Sequence, residues 1–165
     1  MILDLASTVD AFVAAFNEPE PDLDHVMSFF AEDAVYLPGK KPERHGRAEI
    51  RAEFAPQFAG RFGGMYFDVY DKVVDEPARK AMIRWACRLD LTGEHGRRAM
   101  PALRWFARAR YGGRPQWHGL DVFHFDAEGR IVGKFTYGTF RLPLFERYVT
   151  AGSGTGRRDS RQPTP

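Results

Sequence analysis

The chain has 165 residues, of which 44% are hydrophobic and 28% charged, and this composition predicts one globular domain with its own core. The net charge of +2 equals the charge of the segment after Thr150, so residues 1–150 are neutral and a nucleic-acid groove is disfavoured. The single cysteine excludes a disulfide framework, and no apolar run is long enough to span a membrane. We expect a cytoplasmic protein that binds neither nucleic acid nor membranes.

The chain begins with two segments whose apolar residues recur at helical spacing. This periodicity predicts a helix over residues 6–16, with Ser7 or Thr8 as its N-cap. A second, short helix is expected after a proline-containing loop, with Asp22 or Asp24 at its start. Both helices carry phenylalanines on one side, which indicates that this side is buried.

A strand and a third helix follow in the sequence. The short helix keeps Phe30 on its apolar side, and residues 34–37 are then typical of a strand. Residues 47–59 have apolar side chains at i, i+4 and i+8 and predict the third helix. We expect Pro56 to kink or shorten that helix.

The rest of the chain indicates β-structure. Alternating, aromatic-rich runs predict strands over residues 65–74, 81–91, 114–125 and 130–140, the last two joined by a four-residue turn. Segment 93–113 is basic and open to three interpretations, as an extra strand, a short helix or a lid over a pocket.

Helices that come first and strands that follow as a meander predict an α+β fold. We expect a cone-shaped, curved antiparallel sheet wrapped over three N-terminal helices, with a ligand cavity inside the cone. Residues 1–150 form this single domain. Residues 151–165 are rich in Gly, Ser, Arg and Pro and are expected to form a disordered tail.

Asp121 is the residue in these strands whose side chain is best suited to catalysis. Side chains of a strand alternate between two faces, so Asp121 shares its face with Trp117, Phe123 and Phe125. If that face is interior, burial favours a neutral carboxyl group that can donate or accept a proton. Gly119, on the same face, is expected to leave room for a ligand atom.

Two other interpretations of Asp121 remain open at this stage. The face could lie toward solvent, or the aspartate could form a structural pair with Arg84 or Arg88. In the predicted strand over residues 81–91, simple alternation buries the apolar residues and exposes Arg84 and Arg88. Cys87, among those apolar residues, is expected to be a small buried hydrophobe.

The histidines give no pattern typical of a metal site. His118 and His124 share the strand face opposite Asp121, and six residues of strand separate them by about 20 Å, too far to bind one ion. We therefore predict no metal and no cofactor.

Several ordered segments resemble the nuclear transport factor 2-like superfamily, and within it the SnoaL-like polyketide cyclase and ketosteroid isomerase-like group. The resemblance covers residues 8–140 except 93–113, and its motifs are residues 12–17, 22–24, 29–36, 46–50 and 119–132. It implies the cone-shaped fold with an internal cavity. It does not imply one activity, because this fold carries many chemistries.

The resemblance implies roles for individual residues. Asp121 stands where the group has an acid/base or oxyanion-stabilising aspartate, and Tyr36 matches a tyrosine that holds water in limonene-epoxide-hydrolase-like members. Asp121 and Tyr36 are therefore the catalytic candidates. Lys134, which the family register turns inward, could pair with Asp121, bind an anionic ligand or extend its head to solvent. The substrate-binding candidates are the residues expected at the cavity: Phe12, Phe16, Phe58, Arg88, Trp117, Phe123, Lys134 and Thr136.

The residue sets of two known activities are incomplete in this chain. Phe12 replaces the tyrosine donor of ketosteroid isomerases, and Pro38 stands near the position of their proton-shuttling base. In the limonene-epoxide hydrolase pattern one catalytic aspartate falls on Thr136, and the arginine–aspartate pair falls on Ala86 and Arg88. Neither activity is expected here.

These observations favour a cofactor-independent acid–base enzyme of the cyclase, isomerase or hydrolase type. Its substrate would be a small apolar polyketide- or steroid-like ligand held among aromatic rings. The alternative is a non-catalytic small-molecule-binding or dimerisation module of the same fold. A homodimer through the outer sheet face, which carries Leu120 and Val122, is also expected.

Overall fold

The computed structural model describes residues 4–138, without the side chain of His95, and the backbone of residues 146–147. The predicted tail at 151–165 lies outside the described residues. The described helices are α1 (Leu5–Asn17), α2 (Leu23–Ser28), α3 (Gly46–Phe58), α4 (Gly93–Arg98) and α5 (Pro101–Tyr111). The described strands are β1 (Phe30–Pro38), β2 (Arg44–His45), β3 (Gly64–Asp75), β4 (Lys80–Asp90), β5 (Pro115–Phe125), β6 (Ile131–Gly138) and β7 (Glu146–Arg147).

The first two helices begin at aspartate caps. The Asp4 carboxylate accepts a hydrogen bond from the Ser7 backbone N–H at 3.0 Å, so the prediction of Ser7 or Thr8 as the cap of α1 is wrong. The Asp22 carboxylate accepts from the Asp24 backbone N–H at 2.8 Å and caps α2 as predicted. In both helices an acidic oxygen satisfies an N–H group that has no partner within the helix.

Two boundaries near the helices differ from the predicted ones. Phe30, expected on the apolar side of α2, opens β1 instead, four residues before the predicted strand, and its ring is fully buried in the core. Pro56 lies in the last turn of α3, so this helix ends two residues later, at Phe58.

The sheet is curved and unclosed, with six strands in the order β2-β1-β6-β5-β4-β3 and β7 paired to the start of β5. Strands β3 to β6 form the predicted antiparallel meander. β1 pairs with β6 in parallel, with Tyr36 beside Lys134, which the prediction of an antiparallel sheet did not include. This parallel pair joins the N-terminal part of the chain to its last long strand.

One face of the sheet, called the inner face below, packs against α1 and α3. The core between them is rich in phenylalanine, and full burial of one such ring contributes about 2–3 kcal/mol. Its largest fully buried side chains include Phe30, Phe123, Ile50 and Ile83. The α+β prediction, with helices on one face of a curved sheet, is confirmed.

Segment 93–113 forms two helices, so among its three interpretations the helical one is correct. Pro101 occupies the first turn of α5, and Gly112, with φ of +64°, ends it in the left-handed conformation that glycine adopts readily. Ala99 of the connection and Ala107 of α5 pack against the end of β4 at Leu89 and Leu91. Within the described residues, no helix is long and apolar enough to cross a membrane.

Candidate functional site

A cavity of about 250 Å³ lies between α1, α3 and the inner face of the sheet. Its walls are mainly rings, and its polar lining comes from one cluster on β5 and β6 and from side chains near the end of β1. Lys41, which is largely exposed, marks the end that opens to solvent. The aromatic lining residues are Phe12, Phe16, Tyr36, Phe54, Phe67, Trp85 and Trp117.

The rings of the wall hold one another through edge contacts. The Phe16 ring centroid lies 5.6 Å from that of Phe54 and 5.6 Å from that of Phe67, both nearly perpendicular. Phe67 in turn meets Trp85 edge-on at 5.3 Å. Each such pair contributes about 0.5–1.5 kcal/mol in addition to the free energy of burying its surface. The ring contacts therefore stabilise the cavity wall.

Three side chains from adjacent strands form a polar cluster at the cavity. The Lys134 Nζ atom lies 2.8 Å from Asp121 Oδ2, and it also donates to Thr136 Oγ1 at 2.9 Å. The Thr136 hydroxyl donates to Asp121 Oδ1 at 2.6 Å. Each carboxylate oxygen of Asp121 therefore holds one partner.

The strand register explains why these three side chains meet. Asp121 on β5 stands directly beside Thr136 on β6, and Lys134 precedes Thr136 by two residues on the same face. Tyr36 on β1 stands beside Lys134. Since side chains alternate along each strand, all four point to the inner face.

Asp121 and Lys134 are almost completely buried, with 5% and 6% of their surfaces exposed. Removing two charges from water is costly unless they pair with each other and their remaining groups are hydrogen-bonded. The Lys134 ammonium also lies 5.0 Å from the centre of the Tyr36 ring and 5.7 Å from that of Phe123. The cluster is thus a compensated ion pair seated between two rings.

The ion pair replaces two expectations drawn from the sequence. The expected neutral carboxyl group assumed that Asp121 would be buried without a cation, and Lys134 supplies that cation. The alternative pairing with Arg84 or Arg88 is wrong, because those arginines bond to Asp71 and Asp68.

Tyr36 is buried beside this cluster. Burial raises the pKa of its hydroxyl above the usual value, while the Lys134 charge lowers it and the Asp121 charge raises it. The hydroxyl therefore stays protonated through the neutral range. Tyr36 can donate or accept a hydrogen bond there but cannot serve as an anionic base.

The space beside Gly119 is filled by protein and not by a ligand. A Cβ atom at Gly119 would lie 2.3 Å from Cζ2 and 2.4 Å from Cη2 of Trp85. Glycine is needed here so that the indole can lie against β5. The prediction that Gly119 leaves room for a ligand atom is wrong, because the neighbouring strand β4 places its tryptophan there.

Trp85 also carries an unsatisfied donor. Its Nε1 atom is buried and has no hydrogen-bond partner among the described residues. A buried N–H without an acceptor costs about 1–3 kcal/mol. Trp85 lines the cavity with its ring, whereas the Nε1 atom itself is covered by protein.

The structure brings seven of the ten sequence-predicted site residues to the cavity wall. Phe123 lies behind the wall, fully buried, with its ring 5.5 Å from that of Phe12. Phe58 and Arg88 line a second, more polar concavity of about 720 Å³ instead. The seven are Phe12, Phe16, Tyr36, Trp117, Asp121, Lys134 and Thr136.

Alternation along β4 explains the position of Arg88. Ile83, Trp85 and Cys87 face inward, so Arg88 faces outward, where it bonds to Asp68. The register inferred from the family resemblance placed Arg88 inward and is therefore wrong at this strand. Burial raises the pKa of the Cys87 thiol well above its ordinary value, as expected for a residue that only packs.

Sequence reasoning missed several lining residues. Phe54 belonged to the apolar face of the predicted third helix, and Trp85 to the apolar face of the predicted strand over 81–91, so both were marked as core only. Glu53 at the open end bonds to Lys41 and Arg44. Burial raises the pKa of the Glu53 carboxyl, but these two cations outweigh that effect and lower it.

Other solved proteins share this arrangement of helices and sheet. SalBIII is an epoxide hydrolase/cyclase-like enzyme in pyran ring formation in the polyether salinomycin. It is 16% identical, with a TM-score of 0.65 over 87% of this chain and 95% of its own. A candidate polyketide cyclase from Xanthomonas campestris pv. campestris is 20% identical, with a TM-score of 0.61 over 84% of this chain and 91% of its own.

A third neighbour is an NTF2-like protein of unknown function from Exiguobacterium sp. 255-15. It is 17% identical, with a TM-score of 0.57 over 80% of this chain and 98% of its own. At these identities the likeness establishes the fold. No curated protein matches the chain in sequence.

The sequence pattern of the SnoaL-like domain matches residues 9–134. This range runs from α1 to β6 and includes the cavity walls and the aspartate–lysine pair. The chain therefore belongs to the SnoaL-like domain family, within the NTF2-like fold.

Proposed function

We propose that this protein is a cofactor-independent acid–base enzyme of the cyclase, isomerase or hydrolase type. Its substrate is a small, mostly apolar ligand of the polyketide or steroid kind that carries a carbonyl, hydroxyl or ether oxygen. The observation that carries this proposal is a buried carboxylate held by Lys134 and Thr136 at the wall of a ring-lined cavity.

The cavity supports a ligand of this chemical class. Its volume of about 250 Å³ is slightly below the usual range for ligand sites, which favours a small ligand, and its walls are mostly aromatic. The cyclase-like enzyme SalBIII and the candidate polyketide cyclase, which share the fold, are consistent with an oxygen-bearing substrate.

The cluster divides the chemistry between two groups. Asp121, a residue of the cavity wall, takes a proton from the substrate or returns one. The Lys134 ammonium, held 2.8 Å away, stabilises negative charge that develops on a substrate oxygen. Tyr36 orients that oxygen with its hydroxyl, which stays protonated in the neutral range.

A non-catalytic binding module is the second candidate function. It is favoured by one observation, since both Asp121 oxygens already accept bonds from Lys134 and Thr136. In that case the ion pair fixes the shape of the cavity and performs no proton transfer. Binding would then survive loss of the carboxylate, and no substrate would turn over.

The outer sheet face supports a proposal about assembly in either case. Tyr70, Val73 and Tyr137 on this face are each about half exposed, and Leu120 and Val122 between them are partly exposed. We propose that a second copy of the chain covers this face. Sedimentation should give a dimer that Leu120→Glu weakens, whereas a monomer at the same concentration would contradict the proposal.

The acid–base proposal is tested with 5-nitrobenzisoxazole, a small planar probe whose ring opens when a base removes one proton. Asp121 would take the C3 proton while the N–O bond breaks, giving a cyano-nitrophenolate whose oxygen Lys134 stabilises. Appearance of the phenolate is followed by absorbance. We expect saturable turnover by the natural sequence and its loss in Asp121→Asn.

Asp68→Asn is the matched control for this test. Asp68 is also an aspartate of a strand bonded to a basic side chain, Arg88, but it faces away from the cavity. The control variant should keep the rate of the natural sequence. Equal rates in the two variants would contradict the acid–base proposal, and probe binding without turnover in any protein would favour the binding module.

A further inference from the structure

Helix α5 belongs to a stretch of the chain that lacks acidic residues. From residue 95 to residue 120 there is no Asp or Glu, while six arginines are present. The whole chain carries only +2, so this stretch concentrates positive charge that the other residues offset only in part. Three of the six arginines lie on α5, and two more, Arg97 and Arg98, end α4.

The two faces of α5 differ in what they contact. Leu103, Ala107 and Tyr111, spaced by four residues, face the body of the protein, and Ala107 packs against the end of β4. Trp105 lies on the opposite face, where 74% of its surface is exposed. Ala102, three residues before it, is exposed on the same face.

More apolar surface continues this face. Phe106 is 46% exposed beside Trp105, and Met100, just before the helix, is 42% exposed. Soluble domains seldom leave a tryptophan, a phenylalanine and a methionine together on the surface of one short segment. This group of three side chains is called the α5 apolar patch.

Two arginines beside the α5 apolar patch, Arg104 and Arg108, have no acidic partner among the described residues. Arg104 and Arg108 are exposed, and within the described part of the chain no carboxylate lies within 4.0 Å of either. Six arginines elsewhere in the same domain are each paired with an Asp or Glu side chain. Those paired arginines are Arg44, Arg47, Arg51, Arg84, Arg88 and Arg130.

We propose that α5 docks the protein onto an anionic lipid surface. The α5 apolar patch would enter the boundary between headgroups and acyl chains, and the arginine side chains beside it would reach lipid phosphates. Charge complementarity supports this partner, because no carboxylate of the described residues pairs with Arg104 or Arg108. Docking of this kind needs no membrane-spanning segment, so it is compatible with the described helices, and it replaces the expectation from the sequence that the protein binds no membrane.

The apolar face favours a lipid surface over a nucleic acid. A single-stranded nucleic acid would stack on Trp105 and pair with the arginines, but it would leave the Ala102 side of the helix and Met100 in contact with water. A bilayer interface buries all of these groups at once.

The test is flotation of the full chain with vesicles of phosphatidylcholine alone or with about one third phosphatidylglycerol, at low salt. We expect binding to the anionic vesicles only. Since each arginine near such a surface contributes about fivefold to partitioning, Arg104→Gln with Arg108→Gln should weaken binding about 25-fold. Trp105→Ser should also weaken it, with the helical circular dichroism unchanged.

Arg51→Gln with Arg130→Gln is the matched control, because it removes the same charge from two exposed arginines that have acidic partners. This control should bind anionic vesicles as the natural sequence does. An equal loss in both double variants would overturn the proposal, as would unchanged binding by Trp105→Ser or no binding by the natural sequence. Tighter binding to a single-stranded oligonucleotide than to anionic vesicles would also overturn it.

Discussion

At the cavity, the Lys134 ammonium lies 2.8 Å from the Asp121 carboxylate, and both groups are buried. On α5, Arg104 and Arg108 are exposed, and no carboxylate of the described chain pairs with them. A buried charge must be compensated inside the protein because desolvation is costly, whereas an exposed charge is compensated by water and ions. The first arrangement shapes a site, and the second leaves charge available to a partner.

The largest effect on stability is expected for Lys134→Met. This substitution leaves the Asp121 carboxylate buried without its cation, and such a loss costs about 3–5 kcal/mol of unfolding free energy. Urea unfolding followed by fluorescence measures it. Replacing both residues, as Asp121→Leu with Lys134→Met, should recover a large part of the loss because no unpaired charge remains.

Lys72→Met serves as the control for that prediction. Lys72 pairs with Asp10 at 2.7 Å, but the Asp10 side chain is 67% exposed. Exposed pairs contribute about 1 kcal/mol or less, so this variant should lose far less stability. Similar losses of unfolding free energy for Lys72→Met and Lys134→Met would contradict the prediction that the buried Asp121–Lys134 pair is the more costly one to break.

Gly119→Ala tests whether the tryptophan beside the cavity is fixed by its neighbour. The added Cβ would meet the Trp85 ring at 2.3 Å, so the ring must move, at a cost of about 1–3 kcal/mol. Combining it with Trp85→Leu should cost less than the sum of the two single changes, because the clash disappears. Additive unfolding free energies would contradict the contact.

The pH dependence of stability provides a third comparison, at the open end of the cavity. Lys41 and Arg44 hold the pKa of Glu53 below its ordinary value despite the opposing effect of burial. Its contribution is therefore full above the unfolded pKa and is lost as the pH falls through the lower folded pKa. From pH 5 to pH 3 the Tm of the natural sequence should fall more steeply than that of Glu53→Gln.

Glu128→Gln is the control for this measurement, since Glu128 lies in the exposed β5–β6 turn with 66% of its side chain exposed. Its Tm should follow the natural sequence over the same range. If the Tm of Glu53→Gln falls with pH as steeply as the Tm of the natural sequence and of Glu128→Gln, the cations do not stabilise the ionised Glu53 carboxylate.

The smallest effect on stability is expected on α5. Arg104→Gln with Arg108→Gln removes two exposed charges that have no described acidic partner, so the free energy of unfolding should change by no more than about 0.5 kcal/mol. Urea unfolding checks this. A loss of several kcal/mol of unfolding free energy would mean that these arginines stabilise the domain, which would contradict their proposed role in binding a partner.

Local periodicity was sufficient to predict much of the inner face of the sheet. Alternation placed Asp121 with Trp117 and Phe123, and the family register placed Lys134 and Thr136 inside. Once β5 and β6 are known to be neighbours, the ion pair between Asp121 and Lys134 can be predicted. These features depend on short-range rules, which a sequence displays directly.

Non-local features could not be read in the same way. The parallel pairing of β1 with β6 and the packing of Trp85 against Gly119 depend on which strands become neighbours. Helix α5 is a different case, because Pro101 and Gly112 mark its start and end in the sequence. Its buried side has only three residues, Leu103, Ala107 and Tyr111, and the arginines and aromatic residues around them made this helical pattern hard to recognise in the sequence.

The central claim is that the Asp121 carboxylate performs proton transfer inside the cavity. The most direct measurement is the ratio of 5-nitrobenzisoxazole turnover rates between Asp68→Asn and Asp121→Asn at neutral pH. A positioned acid–base group contributes about 100-fold or more, so the ratio should reach at least that value. A ratio near one, with the probe bound by both variants, would contradict the claim.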